Sequence, residues 1–358
     1  MWHFSGFNGF DQFGKNHVRK INKLTNFNFE SINDEYLITP AWSFNVVASG
    51  KQILITGFFD SNQGCRQNKI ELPDKIVDVD STDSYCLIRL VSGKLFKFNR
   101  KDLRLEEIKL NQRTSVKRKT FEESFASTIS KTLIAEHIAC GSNFAIVITS
   151  DNCVYNIPTR IFQFSESEKI IDLECGFEHA VILNSHGEVY TWGNGLRGQL
   201  GIEELKIQET PILVEALSGI KIISIAAGGW HSAAASLSGD VYTWGHNSSG
   251  QLGLRVFNAN GAKTSTVYPL PQLIDLPHCT VCEKNKVACN IMTVHCGARH
   301  TIVKTECGSI LAAGWNKYGQ LAMADDRSII DKWEKIYFST KDPIVVCGPW
   351  CTVFKFKQ

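Results

Sequence analysis

Cys279-Thr-Val-Cys282 has the two-residue cysteine spacing of a tetrahedral zinc site, with Cys289, His295 and Cys296 downstream and His278 just before it. A second clean pair is absent, and Cys296 belongs to a repeat described below. Reduced thiols are therefore the expectation, with Cys279, Cys282 and Cys289 as the metal candidates. Gly193-Asn-Gly195-Leu-Arg-Gly198 spells G-x-G-x-x-G. Dinucleotide binding needs that turn to open a helix whose N-terminus holds the pyrophosphate. Gln-Leu-Gly follows instead, so the glycines are expected to be turn residues. His179, His231 and His300 occupy equivalent places in three copies of a repeat, so the fold should keep them apart. Each is expected to tie its strand to a neighbouring loop by a hydrogen bond. No nucleophile elbow, phosphate-loop lysine motif or H-E-x-x-H pair occurs. No catalytic residue, cofactor or small-molecule substrate is expected.

The elements that carry these residues repeat. CGFEHAVILNSHGEVYTWGNGLRGQLG (175–201), AGGWHSAAASLSGDVYTWGHNSSGQLG (227–253) and CGARHTIVKTECGSILAAGWNKYGQLA (296–322) share a small residue and Gly, then His, a turn Gly eight residues later, and Gly-Gln-Leu near the end. Their tryptophans Trp192, Trp244 and Trp315 read as structural residues of the repeat. Degenerate copies are anchored at Trp42, Tyr85 and Phe144, and a truncated one begins at Cys347-Gly348-Pro349-Trp350-Cys351. The anchors are then 42, 85, 144, 179, 231, 300 and 351. The stretch from Cys351 over the C-terminus and back in to Trp42 is one repeat long, and Gly6, Asn8, Gln12 and Gly14 match Gly245, Asn247, Gln251 and Gly253.

Each unit reads as two strand pairs rich in Val, Ile, Tyr and Trp and punctuated by Gly. One such sheet cannot bury both faces alone, but seven arranged radially can. The expectation is an all-β, seven-bladed β-propeller over residues 1–358, closed by N- and C-terminal strands in one shared blade. The composition agrees: 43% hydrophobic, 21% charged and net +2 over 358 residues exclude a wholly disordered chain, a collagen and a coiled coil. No apolar run is long enough to span a membrane, and the opening residues lack the layout of a signal peptide, so no membrane partner is expected.

Two intervals exceed the repeat. A basic insertion at about 97–135 holds nine basic and three acidic residues between Lys97 and Lys119, a net +6. Its cluster Arg113, Lys117, Arg118 and Lys119 reads as a solvated loop, an import signal, or a contact to phosphates or an acidic protein. A long loop at about 255–290 contains Tyr268-Pro-Leu-Pro271, where prolines argue for an extended, non-strand surface excursion.

The C-G-x-x-H starts and YTWGxxxxGQLG-type tails resemble the regulator-of-chromosome-condensation repeat. The resemblance is clear from about Ile171 to Gln358 and looser before it. Within that family it extends to GGWHS (228–232), the start WHFSGFNGFDQFG and the end CGPW. It implies a non-enzymatic interaction or scaffold protein of a nuclear, chromosome-associated regulatory complex, with a Jumonji-C oxygenase partner and chromatin or histone contact. The cytoplasm is the other compartment open to it. The resemblance also makes Arg160, in VYNIPTR, a candidate for modification or partner recognition. The alternative it implies is guanine-nucleotide exchange on a small GTPase. A third reading, an enzyme with its site on the ring axis, needs acidic or His side chains converging there. The anchors supply mainly Gly, Ala and Cys.

Overall fold

The structure, a computed structural model, describes residues 2–14, 18–27, 36–58, 65–114, 133–142, 144–258, 260–262, 264, 266–277, 289–323, 326–338 and 342–356. At 65–67, 112–114 and 338 it describes the backbone alone. The chain opens with β1 (Trp2–Phe7) and β2 (Lys20–Phe27). Blade one is β3 (Leu37–Pro40), β4 (Phe44–Ser49), β5 (Gln52–Phe58) and β6 (Cys65–Glu71). Blade two is β7 (Ile76–Ser81), β8 (Tyr85–Leu90), β9 (Leu95–Asn99) and β10 (Arg104–Ile108). Then comes β11 (Asn111–Thr114), which adds a parallel fifth strand to blade three beside β12 (Ala135–Cys140), β13 (Ala145–Thr149), β14 (Cys153–Asn156) and β15 (Thr159–Gln163).

The next three blades follow the clear repeats. Blade four is β16 (Ile170–Cys175), β17 (His179–Asn184), β18 (Val189–Asn194) and β19 (Ile207–Leu213). Blade five is β20 (Ile222–Ala227), β21 (His231–Ser236), β22 (Val241–His246) and β23 (Val267–Ile274). Blade six is β24 (Ile291–Cys296), β25 (His300–Thr305), β26 (Ser309–Trp315) and β27 (Ile329–Phe338). The chain ends with β28 (Ile344–Cys347) and β29 (Cys351–Lys355). These form blade seven with the opening strands, in the order β2-β1-β29-β28. The first strand of each of blades one to six lies innermost, with β28 completing the ring against both β24 and β3. The fold is the expected seven-bladed all-β propeller, closed by both ends of the chain.

The hydrophobic core is divided into seven clusters, one at each blade–blade interface. Val46 and Ala48 of β4 enter the cluster shared with blade two, and Val47 between them enters the cluster shared with blade seven. A middle strand is thus covered on both sides, which is why FNVVAS and HAVILN are nearly unbroken apolar runs. The closing seam is aromatic. Phe4, fully buried, stacks on Phe13 at 3.9 Å between ring centroids and meets Phe27 edge-on at 5.5 Å.

Four sequence expectations are corrected. The blade-one anchor is Phe44, not Trp42: Phe58 N–H donates to Ser43 O as Asn194 N–H donates to Glu178 O in blade four. The β4–β5 loop has two residues where the clear repeats have three, and Gly50 stands first in it where their glycine stands last, so an eight-residue count back from it overshoots. Trp315 does not match Trp192 and Trp244, because the residue opposite Thr301 is Ala313. Trp333 on β27 fills the vacated space, its indole packed beneath Gly253 much as that of Trp244 packs beneath Gly201. Pro269 and Pro271 lie within β23. They are tolerated because β23 is an outer edge strand and the register shifts there. In the basic insertion, Lys97 and Arg104 belong to the outer strands of blade two.

Replacing Phe4 by Ala should lower stability by about 3–5 kcal/mol, since the seam cannot collapse around the lost ring without moving β1. Chemical denaturation measures it, and a change near zero would contradict a seam held by β1.

Candidate partner-binding rim and axial channel

One hydroxyl recurs at the boundaries of the clear repeats. Ser232 of blade five donates to the carbonyl of Gln199 in the blade-four tail (2.9 Å). Its only proton is then committed, so the His179 Nε2 at 2.9 Å must be the donor to it. Thr301 sits likewise between Gln251 O (2.6 Å) and His231 Nε2 (2.9 Å), and Thr352 between Gln320 O (2.7 Å) and His300 Nε2 (3.1 Å). The three histidines are fully buried, and burial lowers each to about 3. They are neutral struts, each in a different blade. Gly176, Gly228 and Gly297 precede them because a Cβ there would fall 2.0–2.2 Å from the imidazole Cε1.

The turns that carry these histidines and the Gly-Gln-Leu tails project to the same face. Their non-repeating residues form a continuous aromatic and cationic rim. The Arg197 guanidinium lies 4.6 Å from the Trp230 ring centroid. Arg299 lies between Trp230 (5.9 Å) and Trp315 (5.8 Å). Trp315 meets Trp350 edge-on at 4.7 Å and Tyr318 at 5.3 Å. Tyr318 reaches Phe7 at 5.0 Å, and Phe7 leads through Phe10 to Trp42, which is 44% exposed. Among the described residues no carboxylate pairs with Arg197 or Arg299. Desolvated aromatic rings bearing unpaired guanidinium groups are the side chains that contribute most at protein interfaces.

The axis is more acidic than the anchors suggested. Two cavities meet on it and share Thr39, Asp80, Glu174, Cys296 and Cys347, while Asp78, Asp172, His137 and His295 line one of them. The sequence signal was the period-two Asp78-Val-Asp80 and Asp172-Leu-Glu174 of innermost strands. Asp80 accepts the Cys140 N–H (2.7 Å), the Ser81 N–H (2.8 Å) and the Thr39 hydroxyl (3.3 Å), which links blades one to three. Asp172 accepts the Leu173 N–H (2.9 Å), and Asp78 pairs with Arg89 at 3.6 Å. Burial raises Asp80 and Asp172 to about 6, and burial with neighbouring carboxylates lifts Glu174 well above the usual range. Asp80 and Asp78 tie their strand to its neighbours through these contacts. Among the described residues, no three His, Cys, Asp or Glu gather as a metal cage.

The remaining candidates lie apart. Arg160, half-buried on β15 of blade three, donates to Gln163 Oε1 (3.4 Å) and lies 3.7 Å from Cys153 Sγ. Arg113 lies on β11, where only the backbone is described, and Lys117, Arg118 and Lys119 fall outside the described residues, as do Cys279 and Cys282. Cys289 is described, and its Sγ lies 3.4 Å from that of Cys307. Gly193–Gly198 opens no helix; it leads into the tail turn, where Gly195 N–H donates to Lys206 O (2.9 Å). Sequence reasoning missed Arg197, Trp230 and Arg299. The signal was their place in the variable positions of otherwise constant turns.

Models of the regulator of chromosome condensation (RCC1) repeat match residues 186–235 and 238–303, and a second model of that repeat matches 170–199 and 222–251. Residues 170–303 thus carry RCC1-type repeats. The chain is 37% identical over 213 residues to human RCC1 domain-containing protein 1, which is 50% of this chain and 54% of that one. The chain spans about half the length of the curated relatives it matches. Solved structures share its fold. Human WBSCR16 has a TM-score of 0.76 at 15% identity, with all of both chains covered. Prp20p of Saccharomyces cerevisiae has 0.72 at 14% identity, with 99% of this chain and 90% of that one covered. Prp20p is described with its binding properties to Gsp1p and histones.

The buried histidines make a pH prediction. A histidine at about 3 when folded and 6.5 when unfolded gains its proton on unfolding, so its stability contribution falls as pH drops from 6.5 towards 3. His231→Gln should therefore remove about 1 kcal/mol per pH unit from the slope of unfolding free energy against pH in that window. Comparing the two slopes cancels the opposing carboxylates Asp80 and Asp172. Parallel slopes would mean that His231 is not buried neutral.

Proposed function

We propose that this protein is a non-enzymatic scaffold that binds a protein partner through the rim built on Arg197, Trp230, Arg299, Trp315 and Trp350. The observation that carries the reading is the guanidinium–indole series on one face of a rigid ring, with no carboxylate among the described residues paired to its cations. Such a surface suits a partner segment that combines apolar and acidic side chains. The family likeness supports a nuclear, chromosome-associated complex, and the binding of Prp20p to histones is a precedent on the same fold. A Jumonji-C oxygenase is the partner that the resemblance of the repeats implies. Arg160 is a separate contact in this reading, on β15 of blade three between β11 and β14.

Affinity purification from nuclear extract, followed by mass spectrometry, tests the proposal. The wild-type chain should retain a stable protein partner. The double variant W230A/R299E should lose it by about tenfold or more, while its unfolding midpoint stays close to wild type. R160A isolates the second contact. Equal recovery by wild type and the rim variant would reject the rim. Faster nucleotide release from purified small GTPases would replace the scaffold reading with exchange.

A further inference from the structure

Blade six carries a pair of thiols, Cys289 and Cys307, that face each other across its two inner strands. In blades four, five and six the first and second strands pair at Ile170↔Asn184, Ile222↔Ser236 and Ile291↔Thr305. Two residues beyond each of these pairs the chains still face each other. The positions are Glu168 and His186 in blade four, Ile220 and Ser238 in blade five, and Cys289 and Cys307 in blade six. Glu306 N–H donates to Asn290 O (2.9 Å), so the ladder holds register up to the thiols. Position 289 opposite 307 is then a non-hydrogen-bonded antiparallel pair, the arrangement in which facing residues come closest. The two Sγ atoms are 3.4 Å apart, and both residues are partly exposed. Thr305 Oγ1 (3.2 Å) and Ser309 Oγ (3.4 Å) flank Cys307.

We propose that Cys289 and Cys307 form an oxidation site that closes into a cross-strand disulfide with glutathione disulfide as oxidant. One protein thiolate attacks a sulfur of glutathione disulfide. A mixed disulfide forms and one glutathione thiolate leaves. The facing protein thiolate then attacks the protein sulfur of that mixed disulfide and expels the second glutathione. Two protein thiols are oxidised, one glutathione disulfide is reduced to two glutathiones, and the two thiol protons pass to the departing thiolates. Bond formation needs the sulfurs to move from 3.4 Å to about 2 Å, a change open to facing strand residues. The other seven described thiols are poor competitors. Burial pushes Cys86 and Cys351 to about 12 and raises Cys140, Cys153, Cys175, Cys296 and Cys347, which keeps them protonated.

The test equilibrates the full chain in glutathione buffers of graded ratio, quenches with acid, alkylates, and maps cysteine peptides by mass spectrometry. The linked 289–307 peptide should form before any other pair, with an equilibrium constant about tenfold larger, or about 30 mV more reducing. In C307S, Cys289 should accumulate as the glutathione adduct instead, with an unchanged circular dichroism spectrum, and C289S should mirror it at Cys307. Three results would overturn the proposal. Both thiols could remain alkylated after other pairs have oxidised. Cys289 could link to a cysteine other than Cys307. The purified chain could hold zinc that shields both thiols from alkylation until a chelator is added.

Discussion

The ring rests on a buried hydroxyl that cannot be left unsatisfied. Ser232, Thr301 and Thr352 each stand fully buried between two blades, and each needs one acceptor and one donor. The acceptor is the glutamine carbonyl of the preceding tail, and the donor is the preceding histidine. Both partners belong to the same blade, so each blade grips the next at two points with one direction around the ring. The histidine can do this only as a neutral imidazole with its proton on Nε2. The apolar cores on either side enforce the neutral state. A glycine three residues before it gives the ring room.

The tie survives where its residues do not. Blade seven has Cys351 at the histidine position, and across the seam Asn45 Nδ2 (2.9 Å) and Thr56 Oγ1 (2.7 Å) donate directly to the carbonyl of Gln12. The N-terminal loop thus serves as the tail of the last blade. Its Asn8 Oδ1 accepts Phe13 N–H at 3.0 Å, as Asn247 and Asn316 accept Leu252 and Leu321 N–H at 3.1 and 3.0 Å. In blade two Tyr85 reaches the next blade with its own hydroxyl, donating to Phe144 O (2.5 Å) or Gly141 O (3.2 Å). Blade six moves its tryptophan from the third strand to the fourth. What persists is a filled volume and a satisfied donor, so the sequence can decay without opening the ring.

This explains what could be read from residues alone. Blade count and closure were legible because the turn glycines and the Gly-Asn-Gln-Gly tail are backbone requirements, which few substitutions can meet. Trp42 was misread as an anchor because the tighter β4–β5 hairpin is one residue shorter and carries its glycine at the start of the loop. Trp315 was misread because it stands one residue after its strand glycine, Gly314, where Trp192 and Trp244 stand one residue before Gly193 and Gly245. The prolines of β23 misled because strand compatibility depends on whether the strand is at an edge, which is a tertiary property. The axial carboxylates and the facing of Cys289 with Cys307 depend on register across strands, and a linear reading by anchors passes over register.

The glutamine also connects scaffold to surface. While the Gln199 carbonyl receives the next blade's hydroxyl, its side-chain oxygen receives the backbone N–H of Arg197 at 2.9 Å. Gln320 holds Tyr318 N–H at 3.0 Å and Gln12 holds Phe10 N–H at 3.1 Å in the same way. The residue two places before each of these glutamines is a rim residue, and its backbone is fixed by the group that joins the blades. Arg197, Tyr318 and Phe10 are therefore held in position before any partner arrives, so less ordering entropy opposes binding. Their side chains face solvent at positions where the repeat places no demand, and can vary without loosening the ring. Separate use of one glutamine's carbonyl and amide is what lets a uniform scaffold carry a distinctive surface.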